Sequence, residues 1–200
     1  SYWFGPDGTL TSEPPSADAA PTASRFDVDP ALSQQSSFAD TEGNDPFHDD
    51  AEYDWRQEPD GAATVFVSEP LTEDEPLIGS ASADLWIRSS YQEADLGVTL
   101  SEVRPDGSET YIQSGVLRGT HRRTTPESTP LLPLMSGLEQ DAEPLPTDEF
   151  VEARVEIFQP DWLKVFEPDA VRRSVRDICA AAPGTVRDVA ASASSDRPAA

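Results

Sequence analysis

Cysteine, lysine, methionine and histidine are almost missing from these 200 residues, which hold one, one, one and two of them. A lone Cys179 excludes an intrachain disulfide, and it is read as a small apolar side chain. With only His48 and His121 present, any Ser-His-Asp relay would have to use one of those two. The G-x-S-x-G elbow that exposes a hydrolase nucleophile is absent, as is the alternation of strands and helices that carries it. Long apolar runs are lacking too. Nothing approaches the roughly 20 apolar residues of a membrane helix, and no basic segment followed by an apolar one marks a leader. The first residue is Ser1 and the only methionine is Met135, so the sequence is expected to be a processed or excerpted piece.

Positive charge is scarce as well. Against 38 acids stand 14 bases, a formal charge of −24. Such a field repels nucleic-acid phosphates and anionic membrane surfaces, so neither partner is expected. Self-repulsion on this scale destabilises a compact chain unless salt screens it. Acid excess with almost no lysine suits a halophilic protein; an acidic protein from a GC-rich genome, with arginine in place of lysine, is the other reading.

What is present is strand chemistry. Nineteen prolines and eleven glycines favour many short strands over long helices. Leu85 and Ile87 alternate with Trp86 and Arg88, and Leu96, Val98 and Leu100 repeat the period of two. Pro105-Asp106-Gly107 supplies a turn, and Tyr111 to Leu117 returns as a partner strand. The expectation is a β-meander with one buried face. Phe150 to Phe158 alternates most cleanly, with Val151, Ala153, Val155 and Ile157 on one side and Glu152, Arg154 and Glu156 on the other. Tyr2-Trp3-Phe4 and Thr9-Leu10 read as two short strands about Gly5-Pro6-Asp7-Gly8. Arg25 to Val28 suits a short edge strand. Residues 11–24, 33–61 and 123–149 read as connections, the middle one long and acidic. After Asp161, Val171, Val175 and Ile178 fall at helical spacing, and the residues from Ala180 onward lack a periodic apolar face. Loss of final strands there would leave an unpaired sheet edge.

Several of these residues recur in a known order. Ser68, Pro70, Leu71, Asp74 and Gly79 form S-x-P-L-x-x-D-x-x-x-x-G, followed by Leu85, Ile87, Ser89, Asp95, Val98, Leu100 and Val103 up to the Pro105-Asp106-Gly107 turn. Gly115, Leu117, Arg118, His121 and Arg122 then form G-x-L-R-x-x-H-R. Over residues 1–166 this resembles the C-terminal, non-catalytic β domain of X-Pro dipeptidyl-peptidases and cocaine esterase-like serine hydrolases. The resemblance implies an all-β, jelly-roll-like sandwich similar to galactose-binding modules, spanning 1–168, with 169–200 an irregular or partly helical tail. It implies a partner, an upstream α/β-hydrolase catalytic domain carrying the catalytic serine, aspartate and histidine. It implies no cofactor and no catalytic residue in this chain, which is expected to be inactive alone.

In the cocaine esterase-like branch a loop of the β domain lends apolar residues to the acyl pocket. Phe47, and with it His48 and Trp55, falls where that loop would lie, so these three are the expected pocket-edge residues. His121 is expected to make a structural hydrogen bond. Asp45, Asp49, Asp50, Glu52 and Asp54 offer oxygens for a cation, but the Ca²⁺-loop spacing is missing, so a solvated acidic loop is expected rather than a metal site. A cytoplasmic location is expected, and a homo-oligomer is left open. The alternative function is a free-standing carbohydrate- or ligand-binding sandwich, in which Trp3, Trp55 and Trp86 would stack on sugars; glycan-array binding separates the two.

Overall fold

The computed structural model describes residues 1–19, 23–25, 27, 63–73 and 75–157, together with the backbone of three later strands. Among them there is no α-helix, only three single turns of 3-10 helix. β1 (Trp3–Phe4) and β2 (Thr9–Thr11) pair antiparallel about the Gly-Pro-Asp-Gly turn, as the turn residues require. β3 (Ala23–Ser24) lies just before the expected edge strand, and Phe26 and Val28 fall outside the described residues. β4 (Thr64–Ser68), β5 (Glu75–Leu77), β6 (Ala81–Ser89), β7 (Asp95–Val103), β8 (Glu109–Arg118) and β9 (Val151–Ile157) follow.

The tail departs from the expectation of helix or irregular chain. Lys164–Phe166 is β10, Arg172–Ile178 is β11 and Val186–Ala190 is β12. β11 runs antiparallel to β4 on one side and to β7 on the other. Two strand edges left open in the rest of the sheet outweigh the helical spacing of Val171, Val175 and Ile178, because strand formation is set by tertiary neighbours more than by local pattern. The edge expected from missing final strands is therefore filled.

Two sheets result. The larger has the order β1-β2-β4-β11-β7-β8, the smaller β3-β12-β6-β9, and β5 pairs with β10 separately. Among the described strand pairs only β2 with β4 is parallel. The meander expectation fails at one step. β7 and β8 form a hairpin, but β6 is bonded to β9 in the other sheet. The chain crosses between sheets through Ser90–Ala94, where Gly119 N–H holds the Ala94 carbonyl at 2.8 Å.

Alternation places the core between the sheets. Leu85 and Ile87 of β6, with Ala153, Val155 and Ile157 of β9, meet Leu96, Val98 and Leu100 of β7 and Phe66 of β4. Trp86 and Arg88 take the opposite, partly exposed face of β6, and the Arg88 guanidinium lies 4.8 Å from the centre of the Phe150 ring. β7 departs from the one-buried-face pattern, since Thr99 and Ser101 on its second side are also buried. In β9, Glu152 remains exposed as alternation requires.

The turn at Pro105–Gly107 follows its sequence. Gly107 takes φ +85°, Arg104 N–H reaches Ser108 O at 2.8 Å, and Asp106 Oδ1 accepts from both the hydroxyl and the N–H of Ser108. Those bonds, the hydroxyl's first, hold the Asp106 carboxyl below the ordinary aspartate range. A pKa depressed in the folded state supports the turn at neutral pH. That support fades only as acid takes the pH down through the folded value. Asp106→Asn is expected to leave stability at pH 7 slightly lower and to flatten its acid dependence between the unfolded and folded values, read by urea unfolding at stepped pH.

The connection at 123–149 is fastened rather than free. Arg122, only 12% exposed, donates to the carbonyls of Gly119 (3.1 Å) and Glu143 (2.7 Å) and pairs with the Glu143 carboxylate at 3.1 Å. Arg154 does the same on the sheet face, reaching Asp84 and the carbonyls of Thr129 and Pro130. Leu145, buried in the core, donates its N–H to Gln92 O. Arg122→Ala leaves two carbonyls without their charged donor and is expected to cost about 2–3 kcal/mol. Arg122→Lys, lacking the planar fork, should recover only part of it; denaturant midpoints of the two variants check the order.

Candidate functional site

The described concavity with the right size and lining lies beside β1. Tyr2-Trp3-Phe4 belong to β1, and the loop after β2 supplies Glu13, Pro14 and Pro15. Ser68 at the end of β4, the residues Glu69 to Glu73 that follow it, and Glu75 at the start of β5 form the opposite side. They come together because β2 runs parallel to β4, with Leu10 level with Ser68. That register sets the S-x-P-L segment against the N-terminal aromatics. The cleft between them measures about 760 Å³, within the range of small-molecule sites.

Its apolar side is anchored in the core. Phe4 packs against Phe66 with ring centres 4.6 Å apart and planes tilted by 57°, and Leu10 is buried beneath. Tyr2 Oη donates to Glu75 Oε2 at 2.7 Å, fixing an aromatic ring beside a carboxylate. Glu13, Glu69 and Glu73 complete an acidic lining, and among the described lining residues there is no arginine, lysine or histidine. The arrangement can hold an apolar body and favour positive charge. Its described lining includes Ser12 and Ser68 but no histidine to pair with either.

The expected pocket-edge residues Phe47, His48 and Trp55 lie outside the described residues, as do the Asp45–Asp54 carboxylates and Cys179. Of the tryptophans considered for stacking, Trp3 lines the cleft and Trp86 lies half-buried on β6. His121 has the structural bond expected of it, Nδ1 to Thr120 Oγ1 at 3.1 Å. Among the described residues no cluster of three or more His, Cys, Asp or Glu side chains is placed to hold a metal, and no helix is long and apolar enough to cross a membrane. Sequence reasoning had both halves of the cleft, as a strand and as a motif, without joining them.

At the far corner of the sandwich, Arg118 on β8 pairs with Asp95 across the hairpin (3.0 Å) and with Glu93 (3.4 Å). The Asp95 hydrogen bond, then its charge, raises the arginine's pKa, so the pair persists wherever the carboxylate is ionised.

Comparison with known proteins places these features. The family model described as the X-Pro dipeptidyl-peptidase C-terminal non-catalytic domain matches residues 2–161. Among solved structures, the chain is similar to an α-amino acid ester hydrolase (TM-score 0.62, 21% identity, covering 94% of this chain and 29% of that one). It is similar to an aminopeptidase from a marine sediment archaeon, Thaumarchaeota archaeon (TM-score 0.59, 20% identity, 93% and 30% covered). A CocE/NonD family hydrolase from Staphylococcus aureus gives a TM-score of 0.66 at 14% identity, with 96% and 34% covered. No curated protein matches. The chain spans about a third of the length of these solved structures.

Proposed function

The chain belongs to the family of X-Pro dipeptidyl-peptidase C-terminal non-catalytic domains, and from that premise we propose that it is the accessory domain of an α/β-hydrolase-type serine hydrolase. The enzyme it serves acylates its serine with an X-Pro peptide, ester or amide and then hydrolyses the acyl group. The accessory domain stabilises the catalytic domain and helps to shape the substrate pocket, with Phe47, His48 and Trp55 at the pocket edge. The observation that carries the reading is the family match over residues 2–161, which takes in every strand from β1 to β9. The chain alone is expected to turn over neither p-nitrophenyl esters nor X-Pro p-nitroanilides. Turnover blocked by a serine-directed inhibitor would place a complete reactive centre in this chain and end the reading.

The charge supports a second property, salt adaptation. Even if every base paired once, 24 acids (38 − 14) would lack a basic partner. Raising KCl from 0.1 M to 1 M shrinks the screening length from about 10 Å to about 3 Å. The melting temperature should climb across that range by calorimetry. A flat or falling curve would leave codon usage as the source of the composition.

A further inference from the structure

The longest run without a charged residue in this sequence is 128–138, eleven residues between Glu127 and Glu139. In a chain of −24 it is a stretch that another surface can approach without meeting like charge. The fold makes a rigid point of it. The Thr129 N–H donates to Leu132 O at 3.0 Å and the Leu132 N–H returns to Thr129 O at 3.3 Å, so Pro130 and Leu131 form the apex of a tight turn. Proline's fixed φ suits that corner. Arg154 Nη2 donates to the carbonyls of Thr129 (3.1 Å) and Pro130 (2.8 Å), and Ser82 Oγ donates to Pro130 O at 2.9 Å. Pro133, just behind the apex, is fully buried.

On this fastened turn Leu131 is 61% exposed. Ile78, in the link that leads from β5 into β6, is 76% exposed. Because Ser82, four residues after Ile78, bonds Pro130, both apolar side chains lie at one end of the smaller sheet. A single exposed leucine is ordinary. Here an arginine and a serine hold the backbone beneath it before any partner arrives, which lowers the ordering cost of binding.

The charge and the shape both bear on what seats there. A two-fold contact between copies sets the same patch against itself, point against point, and two chains of −24 repel. A recess on a different surface fits. In the solved hydrolases similar to this chain the matched part is about a third of the length, which leaves the larger part of each enzyme to supply one. We propose that this end of the sandwich is the surface on which the hydrolase catalytic domain seats, with Leu131 and Ile78 entering an apolar recess of that domain. The inference rests on the accessory-domain reading and adds to it the place of contact.

The test compares the whole hydrolase that carries this domain with the 200-residue chain, by hydrogen exchange and calorimetry. The Leu131 and Ile78 amides are expected to exchange about tenfold more slowly in the whole enzyme. A Leu131→Asp/Ile78→Asp variant should leave the melting temperature of the 200-residue chain unchanged, since both positions are exposed. In the whole enzyme it should lower the melting temperature and remove the protection, while Leu131→Met keeps both. Protection that appears on another face of the domain, with these two amides unchanged, would overturn the proposal and leave the accessory reading standing. A melting temperature lowered equally in both forms would overturn it too, as would dimers of the isolated chain that the variant abolishes. Exchange that is the same everywhere in both forms would sink the accessory reading itself.

Discussion

Ending the chain after Pro168 is expected to abolish cooperative unfolding, although the alternating strands all precede that point. β11 lies inside the larger sheet, bonded to β4 at Thr64–Val67 and to β7 along Gly97–Val103. Without it those two strands stand roughly twice the ~4.8 Å strand spacing apart. The larger sheet then divides into a β1-β2-β4 fragment and the β7–β8 hairpin. Each buried backbone group left without a partner costs about 1–3 kcal/mol. Several such losses exceed the roughly 5–15 kcal/mol that holds a domain of this kind together. The two inner edges would also be open to other chains. A chain ending after Ala190 keeps β10, β11 and β12 and serves as the control. Urea unfolding followed by circular dichroism should give a steep transition for the control and a shallow or absent one for the shorter chain. A shorter chain with an unchanged midpoint and slope would show that β11 is dispensable.

Gly115→Ala should be the most damaging single substitution. Gly115 lies on β8 where that edge comes against β9, closing one side of the sandwich. A Cβ there would fall on the carbonyl oxygen of Glu156, 2.7 Å from its carbonyl carbon and 3.2 Å from Val155 Cγ1. A flexible side-chain tip could move aside, but a strand backbone cannot move alone. β9 is bonded to β6 from Ala81 to Ile87, and its Ala153 and Val155 are fully buried. Displacing it disturbs both sheets at once. The cost is expected at about 3–5 kcal/mol, the upper end for one residue. Val116, next along β8 and 72% exposed, provides the contrast; Val116→Ala should stay within about 0.5 kcal/mol. Equilibrium denaturation of both variants checks the pair. A Gly115→Ala chain within 1 kcal/mol of the parent would mean that the two strand edges can separate freely.

Local pattern made β6, β7 and β9 legible, because apolar residues recur with a period of two in each, and β8 was legible as the return after the turn. The Pro105–Gly107 turn was legible for its backbone requirements. Which strands would pair was not. Leu85 and Leu96 look alike in a sequence, yet their strands belong to opposite sheets, and nothing in the alternation of either says so. The tail was misread for a related reason. Its strands are made by the edges waiting for them, and those edges lie about 70 to 165 residues earlier in the chain. The motif glycine of G-x-L-R gained its reason only from the fold, in the carbonyl of a strand 41 residues away. The cleft was invisible for want of one fact, the parallel register of β2 and β4. Phe47, His48 and Trp55 rest on resemblance alone.

The place of β11 also bears on synthesis. A ribosome emits residues in order, at about 5–20 per second, and the middle of the larger sheet is encoded after both of its neighbours. For several seconds the nascent polypeptide carries β4 and β7 with their facing edges unmatched, and only the late arrival of 172–178 joins them. A gene with this layout gains from slow translation or a holding chaperone, and overexpression at high temperature is where it should first fail.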